Sequence, residues 1–111
     1  MQLIADLYGC DKEILNSESK IKEIAAEAIR KIGAEIVEEC AHKFEPIGIT
    51  YFAVISTSHF SVHTWPEYGY AAIDVFSCSE LVVQALTDEL KAAFGAKEIR
   101  TNLVERQVEA R

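Results

Sequence analysis

Apolar and polar positions follow two periods along this chain, and the order in which those periods alternate predicts the fold. Gln2–Tyr8 (QLIADLY) alternates loosely and predicts a strand. Residues 9–16 carry turn chemistry. From there a spacing near 3.6 residues predicts a helix capped by Ser17 or Ser19 and running to about Ile32. Its apolar face is Ile21, Ile24, Ala25, Ala28, Ile29 and Ile32, and Gly33 stands where a helix ends. Ala34–Phe44 predicts a second strand with Ile36 and Cys40 on one side, and Pro46 and Gly48 predict a turn. Ile49–Ile55 (ITYFAVI) is rich in β-branched and aromatic residues and predicts a buried strand. His59–Thr64 predicts a short strand broken by Trp65-Pro66, and Tyr68–Phe76 another. Ser79 is the expected cap of a helix from Glu80 to about Phe94, with Val82, Val83, Leu86, Leu90 and Phe94 inward and Gly95 as the stop. Lys97–Glu105 predicts a last strand, and Arg106–Arg111 a frayed tail.

The order is read as β-α-β-β-β-α-β. It predicts an α+β two-layer sandwich: a mostly antiparallel sheet with two helices on one face. With 111 residues the chain is expected to be one domain, residues 1–111, with no internal repeat. A domain of this size buries roughly 65% of the surface its unfolded chain exposes, enough for one core.

Composition narrows the function classes. The formal net charge is −7, which argues against nucleic acid, whose phosphates are bound mostly by Lys and Arg. It is compatible with small cationic partners without choosing one. No apolar run reaches the roughly 18 residues of a membrane span, and Met1 is not followed by a basic region and a long apolar stretch, so no membrane or secretory role is expected. Cys10, Cys40 and Cys78 are odd in number and far apart, with no metal-ligand spacing. The expectation is free thiols in a reducing cytoplasm and no metal.

One segment is unlike the rest. Residues 46–79 carry only two formal charges, Glu67 and Asp74, yet hold seven of the ten aromatics and two of the three histidines, His59 and His63. Hydroxyls are dense there as well, at Thr50, Ser56, Thr57, Ser58, Ser61 and Thr64. The composition suits a central sheet, and it equally suits an aromatic-lined pocket with a few polar groups. Ser58, His63 and Asp74 form a Ser/His/Asp set on paper, but their spacing gives it no support. The acid pairs Glu38-Glu39 and Asp88-Glu89 read as solvated faces.

Within that segment, Ile55–Cys78 (ISTSHFSVHTWPEYGYAAIDVFSC) closely resembles the prokaryotic S-adenosylmethionine decarboxylase family of small pyruvoyl-dependent proenzymes. The likeness extends more weakly to ADLYGCD near the start and to HKFEPIG, which contains Phe44. The resemblance implies self-cleavage between Thr57 and Ser58, giving a β chain 1–57 and an α chain 58–111 whose first residue becomes a pyruvoyl group. That group, and neither a metal nor pyridoxal phosphate, would be the cofactor: its ketone takes up the substrate amine and accepts the electron pair left by CO2. The resemblance assigns His63 as the base that assists processing, with Thr50 as a supporting hydroxyl. It assigns Cys78 as the acid that protonates the product carbanion, for which a thiol is competent near neutral pH. Phe44, Phe60 and Glu67 match substrate-pocket positions, where aromatic faces suit a purine and a sulfonium and a carboxylate suits ribose hydroxyls. The implied reaction converts S-adenosylmethionine to its decarboxylated form, the aminopropyl donor for spermidine, and the implied assembly is a homo-oligomer, at least a dimer. Two departures stand out. Thr57 replaces the Glu usual before the serine, and Phe60 replaces a more frequent Leu. Alternatives on the same scaffold are an arginine or ornithine decarboxylase, and an uncleaved regulatory homologue.

Overall fold

The computed structural model describes residues 1–106 and Glu109. Its element order is β1 (Gln2–Tyr8), α1 (Lys12–Leu15), α2 (Glu18–Lys31), β2 (Ile36–Lys43), β3 (Ile49–Ile55), β4 (Ser58–Trp65), a 3-10 turn (Pro66–Tyr68), β5 (Tyr70–Ser77), α3 (Val83–Ala93) and β6 (Glu98–Val104). The six strands form one sheet in the order β2-β3-β4-β5-β1-β6, and every neighbouring pair is antiparallel. The expected two-layer α+β sandwich is the fold.

The period-2 pattern becomes two unlike sheet faces. Leu3, Ala5 and Leu7 of β1, Tyr51, Ala53 and Ile55 of β3, Phe60 and Val62 of β4, and Ala71, Ile73 and Val75 of β5 point to one side and are buried. Helix α2 covers them with Ile21, Ala25, Ala28 and Ile29, and α3 with Leu86 and Leu90. Each buried Leu, Ile, Val or Phe among them contributes roughly 1.5–3 kcal/mol by leaving water. The opposite face has no helix among the described residues. There Ile4, Phe52, Val54 and Trp65 stay about 40% exposed.

Local chemistry explains the boundaries. Ser17 caps α2, its Oγ accepting from the Lys20 N–H at 3.3 Å. Gly33 follows with a φ of 78°, which a residue with Cβ adopts at a cost. Four expectations need correction. The expected order has one strand too few, since β2, β3, β4 and β5 all lie between α2 and α3. The turn over residues 9–16 contains α1, a single helical turn capped by Asp11, whose Oδ1 accepts from Glu13 and Ile14. Helix α3 begins at Val83, not Glu80. Ser79 does not cap it, since its N–H donates to Ser77 Oγ, and Val82 precedes the helix with no side-chain cap and is 73% exposed. In β2 the register shifts between Ile36 and Glu38, so Ile36 faces the core while Cys40 faces the other way. A one-residue bulge reverses every later side chain in a strand. The same shift turns Glu39 inward enough to accept the Tyr51 hydroxyl at 2.6 Å, and burial together with that carboxylate holds the Tyr51 phenol well above its usual range. Of the expected tail, residues 107, 108, 110 and 111 lie outside the described residues.

Candidate active site

Strand β4 starts from a two-residue hairpin turn, Ser56-Thr57, that is held on both flanks. Ser56 N–H donates to Glu35 O at 2.8 Å, and Glu35 N–H donates to Ser56 Oγ at 3.0 Å. The Thr57 carbonyl accepts from the Cys78 N–H at 2.8 Å. Ser58 pairs with Ser77 across β4 and β5 and has a φ of 148°, the one positive φ outside glycine among the described residues. Side chains avoid that conformation, and it costs on the order of 1–3 kcal/mol. Thr57 Oγ1 is buried without a hydrogen-bond partner. Ser58 and Cys78 share a cavity of about 610 Å³ with Met1, Phe76, Glu80 and Arg106. The backbone of Met1 closes one side: its ammonium donates to Ser77 O at 2.7 Å, and its carbonyl accepts from Ser77 N–H at 2.9 Å.

A second cluster lies at the other end of the same strand. Thr50 on β3 and His63 on β4 are register partners, with Oγ1 and Nδ1 3.0 Å apart. They line a cavity of about 360 Å³ together with Phe44, Trp65 and Glu67. Trp65 and Pro66 end β4 here, and the 3-10 turn places Glu67 on the rim. Beneath the rim, Thr64 Oγ1 accepts from Ile49 N–H at 2.9 Å and donates to Leu15 O at 2.8 Å, tying β3, β4 and α1 together. Five residues of β4 separate Ser58 from His63, about 16 Å at the rise of an extended strand.

The structure thus gathers Thr57, Ser58 and Cys78 at one end and Phe44, Thr50, His63 and Glu67 at the other. It does not bring the two sets together within this chain. Phe60 joins neither: it is 1% exposed, on the helix-covered face, so its expected pocket position is not met in the uncut chain. Asp74 also does not complete a Ser/His/Asp set. Its Oδ1 lies 3.8 Å from His59 Nε2, not near His63, and its carboxylate accepts from Gln2 Nε2 at 3.1 Å. Gln2, Phe76, Glu80 and Arg106 escaped the sequence reading, because they stand in segments whose patterns signal only a strand, a helix start or a tail.

The cysteines separate by environment. Cys10 is buried, and burial pushes its thiol up to about 11, whereas Cys40 and Cys78 are exposed. Among the described residues no three His, Cys, Asp or Glu side chains converge on a metal-sized site, and no helix is long and apolar enough to cross a membrane.

An open-faced antiparallel sandwich with a strained serine at a hairpin and a cysteine beside it defines a narrow structural class. The family model for S-adenosylmethionine decarboxylase matches residues 1–107. The S-adenosylmethionine decarboxylase proenzyme of Caldicellulosiruptor saccharolyticus is 46% identical over 112 residues, covering 96% of this chain and 90% of that protein. That of Moorella thermoacetica is 48% identical over 109 residues, covering 93% and 87%. The crystal structure of the adenosylmethionine decarboxylase from Aquifex aeolicus superposes with a TM-score of 0.87 at 28% identity, covering 98% of this chain and 91% of that one. The chain belongs to the S-adenosylmethionine decarboxylase family.

Proposed function

We propose that this chain cuts itself between Thr57 and Ser58 and then decarboxylates S-adenosylmethionine with the pyruvoyl group so formed. The observation that carries the reading is the state of the bond to be cut: a strained Ser58 following a carbonyl already bound by the Cys78 N–H. Ser58 Oγ adds to the Thr57 carbonyl carbon, and the Cys78 N–H receives the developing oxyanion. The C–N bond then breaks, leaving an ester and a free Ser58 amine. Relief of on the order of 1–3 kcal/mol of strain speeds that shift about 5- to 150-fold. A base takes the Ser58 α-proton, the Cβ–Oγ bond breaks, and Thr57 leaves as a carboxylate. The remaining enamine isomerises to an imine, and water releases ammonia to leave the ketone. The attacked group is backbone, so Thr57 in place of Glu leaves this chemistry intact.

The residues present fit the group. Once formed, it supplies the ketone that takes up the substrate amine and holds the electron pair left by CO2. Cys78, exposed on the same cavity, returns a proton to the substrate carbon. His63 is the processing base. In the tautomer whose Nδ1–H donates to Thr50 Oγ1, 3.0 Å away, Nε2 keeps the lone pair that proton abstraction needs. Phe44 offers a half-exposed ring to the purine and Glu67 a carboxylate to the ribose hydroxyls.

His63 cannot reach Ser58 of its own chain across about 16 Å of strand. We therefore assign the working site to two copies, the Ser58 end of one meeting the His63 end of the other. The uncovered sheet face, with Phe52, Val54 and Trp65 about 40% exposed, is the surface that a second copy would cover. The three unpaired cysteines fit a reducing, cytoplasmic setting. The named relatives favour S-adenosylmethionine over arginine or ornithine as substrate, and its decarboxylated product would donate an aminopropyl group for spermidine. CO2 release assayed separately with the three compounds decides. Turnover of S-adenosylmethionine is expected, and turnover of arginine or ornithine alone would overturn the choice.

A further inference from the structure

The cavity at the Ser58 end holds a group with no part in the steps above. The Cζ of Arg106 lies 4.4 Å from the centroid of the Phe76 ring, and its Nη1 donates to Gln2 Oε1 at 3.2 Å. Gln2 is itself tethered, since its Nε2 donates to both oxygens of Asp74 at 3.1 Å. The guanidinium is thus stacked on one face and tied at one nitrogen, while a guanidinium carries five donors in a planar fork matched to a carboxylate. Among the described side chains around this cavity it is the one Lys or Arg. The Met1 ammonium is turned to the Ser77 carbonyl. Glu80 and Glu105 also line the cavity, so an entering anion meets repulsion from them and attraction at Arg106.

A substrate that delivers its α-amine to residue 58 brings its α-carboxylate into the same cavity, one carbon away. We propose that Arg106 holds that carboxylate and is the specificity-determining residue that makes the cavity select α-amino acids over plain amines. This rests on the functional reading above. The contact is strongest before reaction, because the negative charge disappears as CO2 leaves. Its removal therefore raises KM and does not lower kcat. It also leaves the decarboxylated product without this anchor, which favours release.

The test compares charged and uncharged ligands on the processed enzyme. In Arg106→Gln the KM for S-adenosylmethionine should rise about tenfold while kcat falls by no more than about twofold, and Arg106→Lys should recover part of the loss. Inhibition by the decarboxylated product should be unchanged. The unmutated enzyme should bind the neutral α-carboxamide analogue about tenfold more weakly than the substrate, a comparison that needs no variant to fold. Equal weakening of substrate and product in R106Q, or no preference for carboxylate over carboxamide in the unmutated enzyme, overturns the inference while self-cutting and CO2 release still stand. An unmutated chain that neither cuts nor releases CO2 overturns the functional reading and this inference with it.

Discussion

The two ends of strand β4 differ in what they lack. At the Ser58 end the backbone is strained, a carbonyl is polarised and a thiol is exposed, but the one imidazole nearby, His59, is engaged with Asp74 and stacked on Phe52. At the His63 end an imidazole is oriented by Thr50 beside an aromatic ring and a carboxylate, but there is no bond to attack. On the proposed reading, one end holds the bond to be cut and the other the base and pocket. A strand is too stiff to fold these halves onto each other, so that reading calls on a second copy to complete the site.

The sharpest break in that comparison is Ser58→Ala, which removes the nucleophile and should abolish cutting outright, leaving a single uncut species on a denaturing gel. Mixing comes next. His63→Ala alone should cut poorly, but co-expressed with Ser58→Ala it should be cut in mixed pairs, because the S58A copy lends its His63. No cutting in the mixture would place base and serine in one chain. Cys78→Ala keeps its backbone N–H, so it should still cut, yet lose about 10²–10⁴-fold in CO2 release. The covered and open faces separate in thermal unfolding. Phe60→Ala should cost about 3–5 kcal/mol, whereas Phe52→Ala, 43% exposed, should cost well under that in the isolated chain. Thr57→Val, which replaces an unpartnered buried hydroxyl, should change the cutting rate by less than about fivefold.

Most of the fold was legible because period and burial coincide. Ile49–Ile55 and the helix after Ser17 sit where their patterns put them. The misses have local causes. Helix α1 is too short to show a period, and a bulge near Val37 is a backbone event with no residue signature, so Cys40 was put on the wrong side. At α3 Val82 extended the helical pattern backwards, although it precedes the helix and is 73% exposed. The candidate site was legible as a set of residues through family resemblance. Its division between two strand ends was not: the resemblance implied a dimer, but which groups share an end of β4 depends on its pairing with β3 and β5. Phe60 shows the reverse: β4 alternation alone puts it on the Val62 side, away from His63.

The central claim is the cut, and the intact mass of the purified chain tests it most directly. The expected result is two fragments, residues 1–57 and 58–111, with the second lacking a free N-terminal amine because residue 58 has become a pyruvoyl group. A single species at the full 12.4 kDa, persisting through prolonged incubation, would contradict it.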